Sequence, residues 1–331
     1  MVRVGGASAA TANIFMFFLL SYNVFLLFIF LHLYENVWRG TPFGAWIASP
    51  WSIIVTQILG LLVPMFIFKA IVRAIAKDRD ENEIKEDNYD NAVDLSTIHP
   101  KIQKKPLDFI NIVLIIALSL LAQPTMMILS GLASLVIPNP IAYVMTELTL
   151  IPFPMALLII ALTPSICEEW VFRGFIQSHY EGHSVFAMAI VNGLFFAIIH
   201  LNLHQFTYTF FMGIFFVYLV HITRSVFAGV LSHFAINASQ FSLSYILTSQ
   251  MDVAVVTTEP TTAELLESIY ELMIVNIFIL PILVALFWVL IKHNQRKNDE
   301  DLKELVDRPP KSHPFDKFFW AVVLLFAILM I

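Results

Sequence analysis

Most of this chain is a succession of apolar stretches, each about as long as a bilayer is thick, and that limits the fold to one class. A spanning helix needs about 20 mostly apolar residues, and in hydrocarbon every backbone N–H and C=O has to be paired inside the protein. Candidate spans cover residues 11–33, 52–73, 109–137, 151–167, 184–201, 205–222, 225–247, 273–292 and 318–331. The fourth continues past Pro164, and the last is short. The expectation is an all-α polytopic membrane protein of about eight or nine transmembrane helices, with a buried polar site in the core bundle. Pro124 and Pro164 predict kinks, because each removes a backbone donor within a helix.

Composition agrees. The 331 residues are 58% hydrophobic and 13% charged, where a soluble domain is about a quarter charged. The net charge of −6 is spread through loops and gives no argument for nucleic-acid binding. Cys167 is the only cysteine, so no internal disulfide can form. The stretch from residue 14 to residue 33 is too long for a signal-peptide core and reads as a retained first helix. Segments 76–107 and 293–317 are rich in Lys and Arg, whereas 249–271 is acidic and has neither. With nine spans both basic loops fall on one side, together with Arg224. Basic loops stay cytoplasmic, which puts the amino terminus inside, in an integral protein expected in a bacterial plasma membrane. Three regions are expected: N-terminal membrane helices at 1–147, a catalytic helical core at 148–247, and an acidic loop with C-terminal helices at 248–331.

Ionisable groups at bilayer depth cost a few kcal/mol each or more, and they mark functional sites. Three segments carry them. The first is Cys167-Glu168-Glu169-Trp170-Val171-Phe172-Arg173. Glu169 and Arg173 are four apart, on one helix face, and can pair. Glu168 points about 100° away and lacks that partner, which suits it to take a proton from water. The bland alternative is that both glutamates only anchor Arg173 in a packing network. The second segment ends in Phe196-Ala197-Ile198-Ile199-His200, where the phenyl ring can wall one side of the imidazole. His204 could join His200 in a zinc set if the helix continued, but Leu201-Asn202-Leu203 looks like a turn. The third holds His233 and Asn237 one turn apart, as oxyanion donors or as interhelical glue. Counting residues from the flanking turns puts these groups within a slab about 13 Å deep, so one cavity can hold them. A Cys167 thiol nucleophile with His200 as base is a weaker option, since buried membrane cysteines usually serve packing. Asn192-Gly193 should permit close helix approach.

Taken in order, Glu168-Glu169-x-x-x-Arg173, Phe196-x-x-x-His200 and His233-x-x-x-Asn237 resemble the CPBP intramembrane protease family, also called the type II CAAX prenyl endopeptidase or Abi family. The resemblance covers about residues 151–247. It implies an intramembrane endopeptidase in which Glu168 and His200 activate a water, His233 and Asn237 hold the oxyanion, and Glu169 and Arg173 keep the geometry. It implies a peptide or lipidated-protein substrate reached among membrane lipids. No cofactor is expected; a zinc mechanism is possible and not favoured. The alternative from another class is a proton-coupled transporter that uses Glu168, His200 and His233 as a relay.

Overall fold

The computed structural model describes residues 8–84, 105–139, 144–145, 148–180, 182–250, 260–306 and 312–330. Among these the secondary structure is helical, with no strand. The chain forms α1 (Ala9–Leu33), α2 (Pro42–Ile47), α3 (Ser52–Gln57), α4 (Val63–Ile84), α5 (Phe109–Ser134), α6 (Phe153–Leu157), α7 (Thr163–Glu169), α8 (Val185–Ile198), α9 (Leu203–Thr223), α10 (Val226–Gln250), α11 (Thr262–Val306) and α12 (Lys317–Met330). Single π turns join some of these into longer rods. One at Ile58–Leu62 links α3 to α4, and one at Leu158–Leu162 links α6 to α7. A third, Trp170–Ile176, leads from α7 into a 3₁₀ turn at Gln177–Tyr180.

Among the described residues six helical rods are long and apolar enough to cross a membrane, and Val185–Ile198 and Lys317–Met330 are shorter apolar helices. The protein is an all-α polytopic membrane protein. The expected count of eight or nine spans included α10. It has the length, with 25 residues, but it carries Ser232, His233, Asn237, Ser239, Gln240 and Ser242, so it is not among the apolar six. Its polar groups face protein instead. The Ser232 and Ser119 hydroxyls hydrogen-bond at 2.7 Å, and Gln123 Nε2 donates to Ser239 Oγ at 2.6 Å, both tying α10 to α5.

Two loop expectations need correction. The acidic segment was expected to stay loop to residue 271, but α11 starts at Thr262. Thr261 and Glu264 form a reciprocal cap: Thr261 N donates to Glu264 Oε2 at 2.8 Å, and Glu264 N donates to Thr261 Oγ1 at 3.3 Å. Such a capping box pairs two orphan donors and starts a helix. At its other end α11 runs to Val306, through what was expected to be a basic loop. Likewise α4 reaches Ile84, and most of the first basic loop, with residues 251–259 of the acidic one, lies outside the described residues.

The bundle ends are tied side to side. Ala10 N donates to Ser312 Oγ, Asn13 Nδ2 donates to Pro314 O and Asp316 Oδ1, and the Tyr180 hydroxyl donates to Asn13 Oδ1. His293 Nε2 lies 3.2 Å from Asp108, and Ser225 Oγ donates to Lys105 O. Since α8 and α9 form an antiparallel hairpin, these contacts put the start of α1, Arg224 and the segments flanking both basic loops at one end of the bundle. Gly193 and Gly213 let that hairpin close: a Cβ on Gly193 would sit 2.8 Å from Phe210 O, and one on Gly213 would sit 2.7 Å from Gly193 Cα.

Candidate active site

Pro164 organises the site backbone. It has no N–H, so the carbonyl of Ile160, four residues back, loses its helical donor. The rod opens into the π turn Leu158–Leu162 just before it, and Asn237 Nδ2 on α10 reaches across to donate to Ile160 O at 3.1 Å. The expected kink at Pro164 is therefore a widened turn, and the α10 amide fills the gap. The next turn of α7 carries both glutamates, buried.

The two carboxylates part company, because they leave the helix about 100° apart. Glu169 faces α9 and α10. Its Oε1 accepts from Arg173 Nη1 at 2.9 Å and from His233 Nδ1 at 3.1 Å. Both Glu169 and Arg173 side chains are fully buried. Arg173 Nη2 also donates to Gly213 O at 3.0 Å, and its guanidinium lies 4.4 Å from the Phe196 ring centroid and 5.0 Å from that of Phe216. Space beside Glu169 exists only because residue 229 is glycine: a Cβ there would lie 2.5 Å from Glu169 Oε2.

Glu168 turns the other way, into a cavity of about 380 Å³. Its Oε1 accepts from Gln57 Nε2 at 3.0 Å, and its Oε2 is buried without a hydrogen-bond partner among the described residues. The same cavity is walled by Phe196, His200, His233 and Asn237. His200 Nδ1 is 2.7 Å from Phe196 O. A carbonyl only accepts, so Nδ1 carries the proton and Nε2 of the neutral ring is the free lone pair. By the same reasoning His233 gives its Nδ1 proton to Glu169, leaving Nε2 as its other polar atom. Phe196 sits edge-on to both imidazoles, with centroids 5.1 Å from His200 and 5.8 Å from His233. Phe216 stacks on His233 at 5.3 Å.

Thus Glu168, Phe196, His200, His233 and Asn237 line one cavity, while Glu169 and Arg173 lie behind it as a buried hub. His204 is elsewhere. Helix α8 ends at Ile198, Leu201 takes φ 49°, and a new helix begins at Leu203. His204 Nε2 then pairs with Ser134 Oγ at 2.8 Å. Among the described residues no three His, Cys, Asp or Glu side chains are grouped to hold a metal ion. Four contributors escaped sequence reading. Gln57 is a lone amide in an apolar span, a signal in itself. Phe216, Gly213 and Gly229 are apolar or small residues on apolar helices, and nothing in their type marks them.

Comparison with known families bears on this segment. Residues 150–239 match the Rce1-like family, type II CAAX prenyl endopeptidase. The match contains all three motifs and agrees with the resemblance drawn from them. The matched segment is less than a third of the 331-residue chain, so it marks what this core is similar to. No curated protein and no solved structure matches the chain. Gln57 lies outside the matched segment.

Proposed function

We propose that the protein is a glutamate-dependent intramembrane endopeptidase that cleaves a peptide or lipidated protein held at the membrane. One observation carries the reading: Glu168, with one carboxylate oxygen lacking a hydrogen-bond partner among the described residues, lines the cavity that His200, His233 and Asn237 also wall. An anionic oxygen with no protein donor is a place for a water molecule. That water attacks the scissile carbonyl carbon, and its proton goes to Glu168 as general base. The free Nε2 lone pair of His200 accepts a hydrogen bond from the hydroxyl that the attack leaves on the tetrahedral carbon. The carbonyl oxygen becomes an oxyanion within reach of His233 Nε2 and Asn237 Nδ2. To donate from Nε2 while Nδ1–H is held by Glu169, His233 has to carry both ring protons, and the Glu169 carboxylate is then shared between His233 and Arg173. The intermediate then collapses, the C–N bond breaks, and the amine leaves with the proton from Glu168. The products are a carboxylic acid and an amine, and Glu168 returns as carboxylate.

The remaining cavity wall mixes Asn23, Thr56, Gln205 and Thr209 with Ile53, Leu61, Val144 and Met212. Polar groups of this kind suit a peptide backbone, and the apolar ones suit a chain entering from lipid. The family match favours hydrolysis over the proton-relay transporter, because it covers the same residues. We place the amino terminus and the two basic loops in the cytoplasm of a bacterial plasma membrane, on the Lys/Arg bias. The core lies at 148–247, with membrane helices on either side.

The test is Glu168→Gln, which keeps shape but cannot take the proton. Release of a fluorogenic farnesylated CAAX peptide should stop, while the protein stays folded and in the membrane. Retained turnover would remove Glu168 as base. Turnover should also survive exhaustive chelation. Stoichiometric zinc whose removal stops cleavage, with recovery on its return, would replace this mechanism.

A further inference from the structure

The most telling loose end is a pair of buried oxygens. Gln57 Nε2 donates to Glu168 Oε1 at 3.0 Å. A carboxylate only accepts, so the amide nitrogen must face it, and this turns Gln57 Oε1 the other way. That Oε1 is buried with no hydrogen-bond partner among the described residues, as is Glu168 Oε2. Both residues line the same cavity. Two acceptors on neighbouring side chains lack donors, and one molecule supplies two donors at once: water. Buried polar groups left unpaired are costly, and ordered water is the usual remedy.

The backbone aims Gln57 for this. It is the last residue of α3, and the π turn Ile58–Leu62 starts directly after it. Such turns widen a helix, re-aim the adjacent side chains, and recur at functional sites. Helix α3 packs on α7, which carries Glu168. Asn23 braces the far side of the turn, donating through Nδ2 to Gly60 O at 2.8 Å. A Cβ on Gly60 would lie 2.6 Å from Asn23 Oδ1, so the brace needs glycine there. The titratable groups around the cavity are His200, His233 and Tyr208, with Glu169 and Arg173 behind.

We infer that Gln57 is a positioning residue of the hydrolytic centre: its amide N–H fixes the Glu168 carboxylate, and its amide oxygen shares the attacking water with Glu168 Oε2. The centre is thereby completed by a helix outside the family-matched segment. The inference rests on Glu168 acting as base and deepens that reading. In the reaction Gln57 exchanges no proton. It accepts one water hydrogen while Glu168 takes the other, so the oxygen lone pair is turned to the substrate carbonyl.

Two substitutions and one spectrum test it. Gln57→Leu keeps the volume without either polar atom. Gln57→Glu keeps the shape but sets an acceptor against Glu168. Cleavage of a fluorogenic farnesylated CAAX peptide should fall about ten- to a hundredfold in kcat for Gln57→Leu, with KM within about twofold, the pattern of an interaction needed only in the transition state. Gln57→Glu should fall further. A space-filling role predicts the reverse, a tolerated isostere with normal kcat. The infrared difference between wild type and Glu168→Gln isolates the Glu168 carboxylate stretch and needs no substrate. Gln57→Leu should shift that band, and an unmoved band overturns the inference. Glu168→Gln also separates the two levels. If it keeps turnover, the base reading itself falls. If it is inactive while both Gln57 variants keep wild-type kcat and carboxylate band, only the role of Gln57 falls.

Discussion

The rod at Phe153–Tyr180 and the helix α11 are both membrane spans, yet they solve opposite problems. The most apolar stretch of α11 has a mean hydropathy of 2.9 and is only 11% buried, whereas that of Phe153–Tyr180 has 1.6 and is 56% buried. The more apolar span faces lipid, and the more polar one is wrapped in protein. Association of helices in a bilayer gains little from hiding apolar surface, since lipid is as apolar as leucine. Polar groups instead require burial, because hydrocarbon offers them no partner. The wrapped rod carries Glu168, Glu169 and Arg173, two π turns and Pro164, and each irregularity meets a partner from another helix. By contrast α11 runs as one helix through Pro281. Low hydropathy in a span thus marks the place where buried polar groups are kept.

That contrast is broken most severely at the hub. Glu169→Gln removes the charge that faces both Arg173 and His233, leaving a fully buried guanidinium without its counterion. Uncompensated buried charges cost about 3–5 kcal/mol, so loss of yield and of thermal stability is the expected outcome, read by unfolding in detergent micelles. Full stability of Glu169→Gln would mean that Gly213 O and the Phe196 and Phe216 faces suffice for Arg173.

Asn237 sharpens the comparison at smaller cost. In the resting site its Nδ2 serves Ile160 O, the carbonyl freed by Pro164, so one amide hydrogen is structural and the second is left for an oxyanion. Asn237→Leu should lower stability by about 1–3 kcal/mol, the price of an unmet buried acceptor. It should also cut kcat per folded molecule by about a hundred- to a thousandfold, as loss of one oxyanion donor does. His233→Ala should show the same kinetic loss, and the double variant less than the product of the two. Unchanged turnover per folded molecule in both single variants would reduce α10 to interhelical glue.

Span positions and the three motifs were legible because both rest on period and polarity. Apolar runs give the spans, and an ionisable group in an apolar run stands out. The opposite orientations of Glu168 and Glu169 followed from helix geometry, since i to i+4 spacing reaches Arg173 and i to i+5 does not. Other features were hidden for physical reasons. The π turn at Leu158–Leu162 follows from Pro164 but leaves no periodic trace. Gly229 matters through one carboxylate oxygen contributed by a distant helix. Phe216 is one of 30 phenylalanines, and only its stacking on His233 separates it from the lipid-facing ones. The start of α11 was readable in Thr261-x-x-Glu264, but its acidity suggested a loop. Gln57 shows the limit most clearly: a lone amide says that a polar partner exists, and only the fold says which.

The smallest effect should come from the lipid-facing side, where it tests the premise of the comparison. Phe278 on α11 is 70% exposed, and Phe216 on α9 is fully buried between Arg173 and His233. In a soluble protein truncating either ring would be judged by area lost from water. In a bilayer Phe278 contacts lipid whether or not α11 is docked, so Phe278→Ala should change stability by less than about 0.5 kcal/mol. Phe216→Ala leaves a cavity that lipid cannot fill, costing about 2 kcal/mol at roughly 24 cal/mol per Å³, and it also removes the face that His233 stacks on. Turnover should therefore fall with Phe216→Ala and hold with Phe278→Ala. The measurement is unfolding in bicelles alongside kcat. If Phe278→Ala destabilises as much as Phe216→Ala, α11 is not lipid-facing in the membrane, and another helix or a second copy of the chain covers it there.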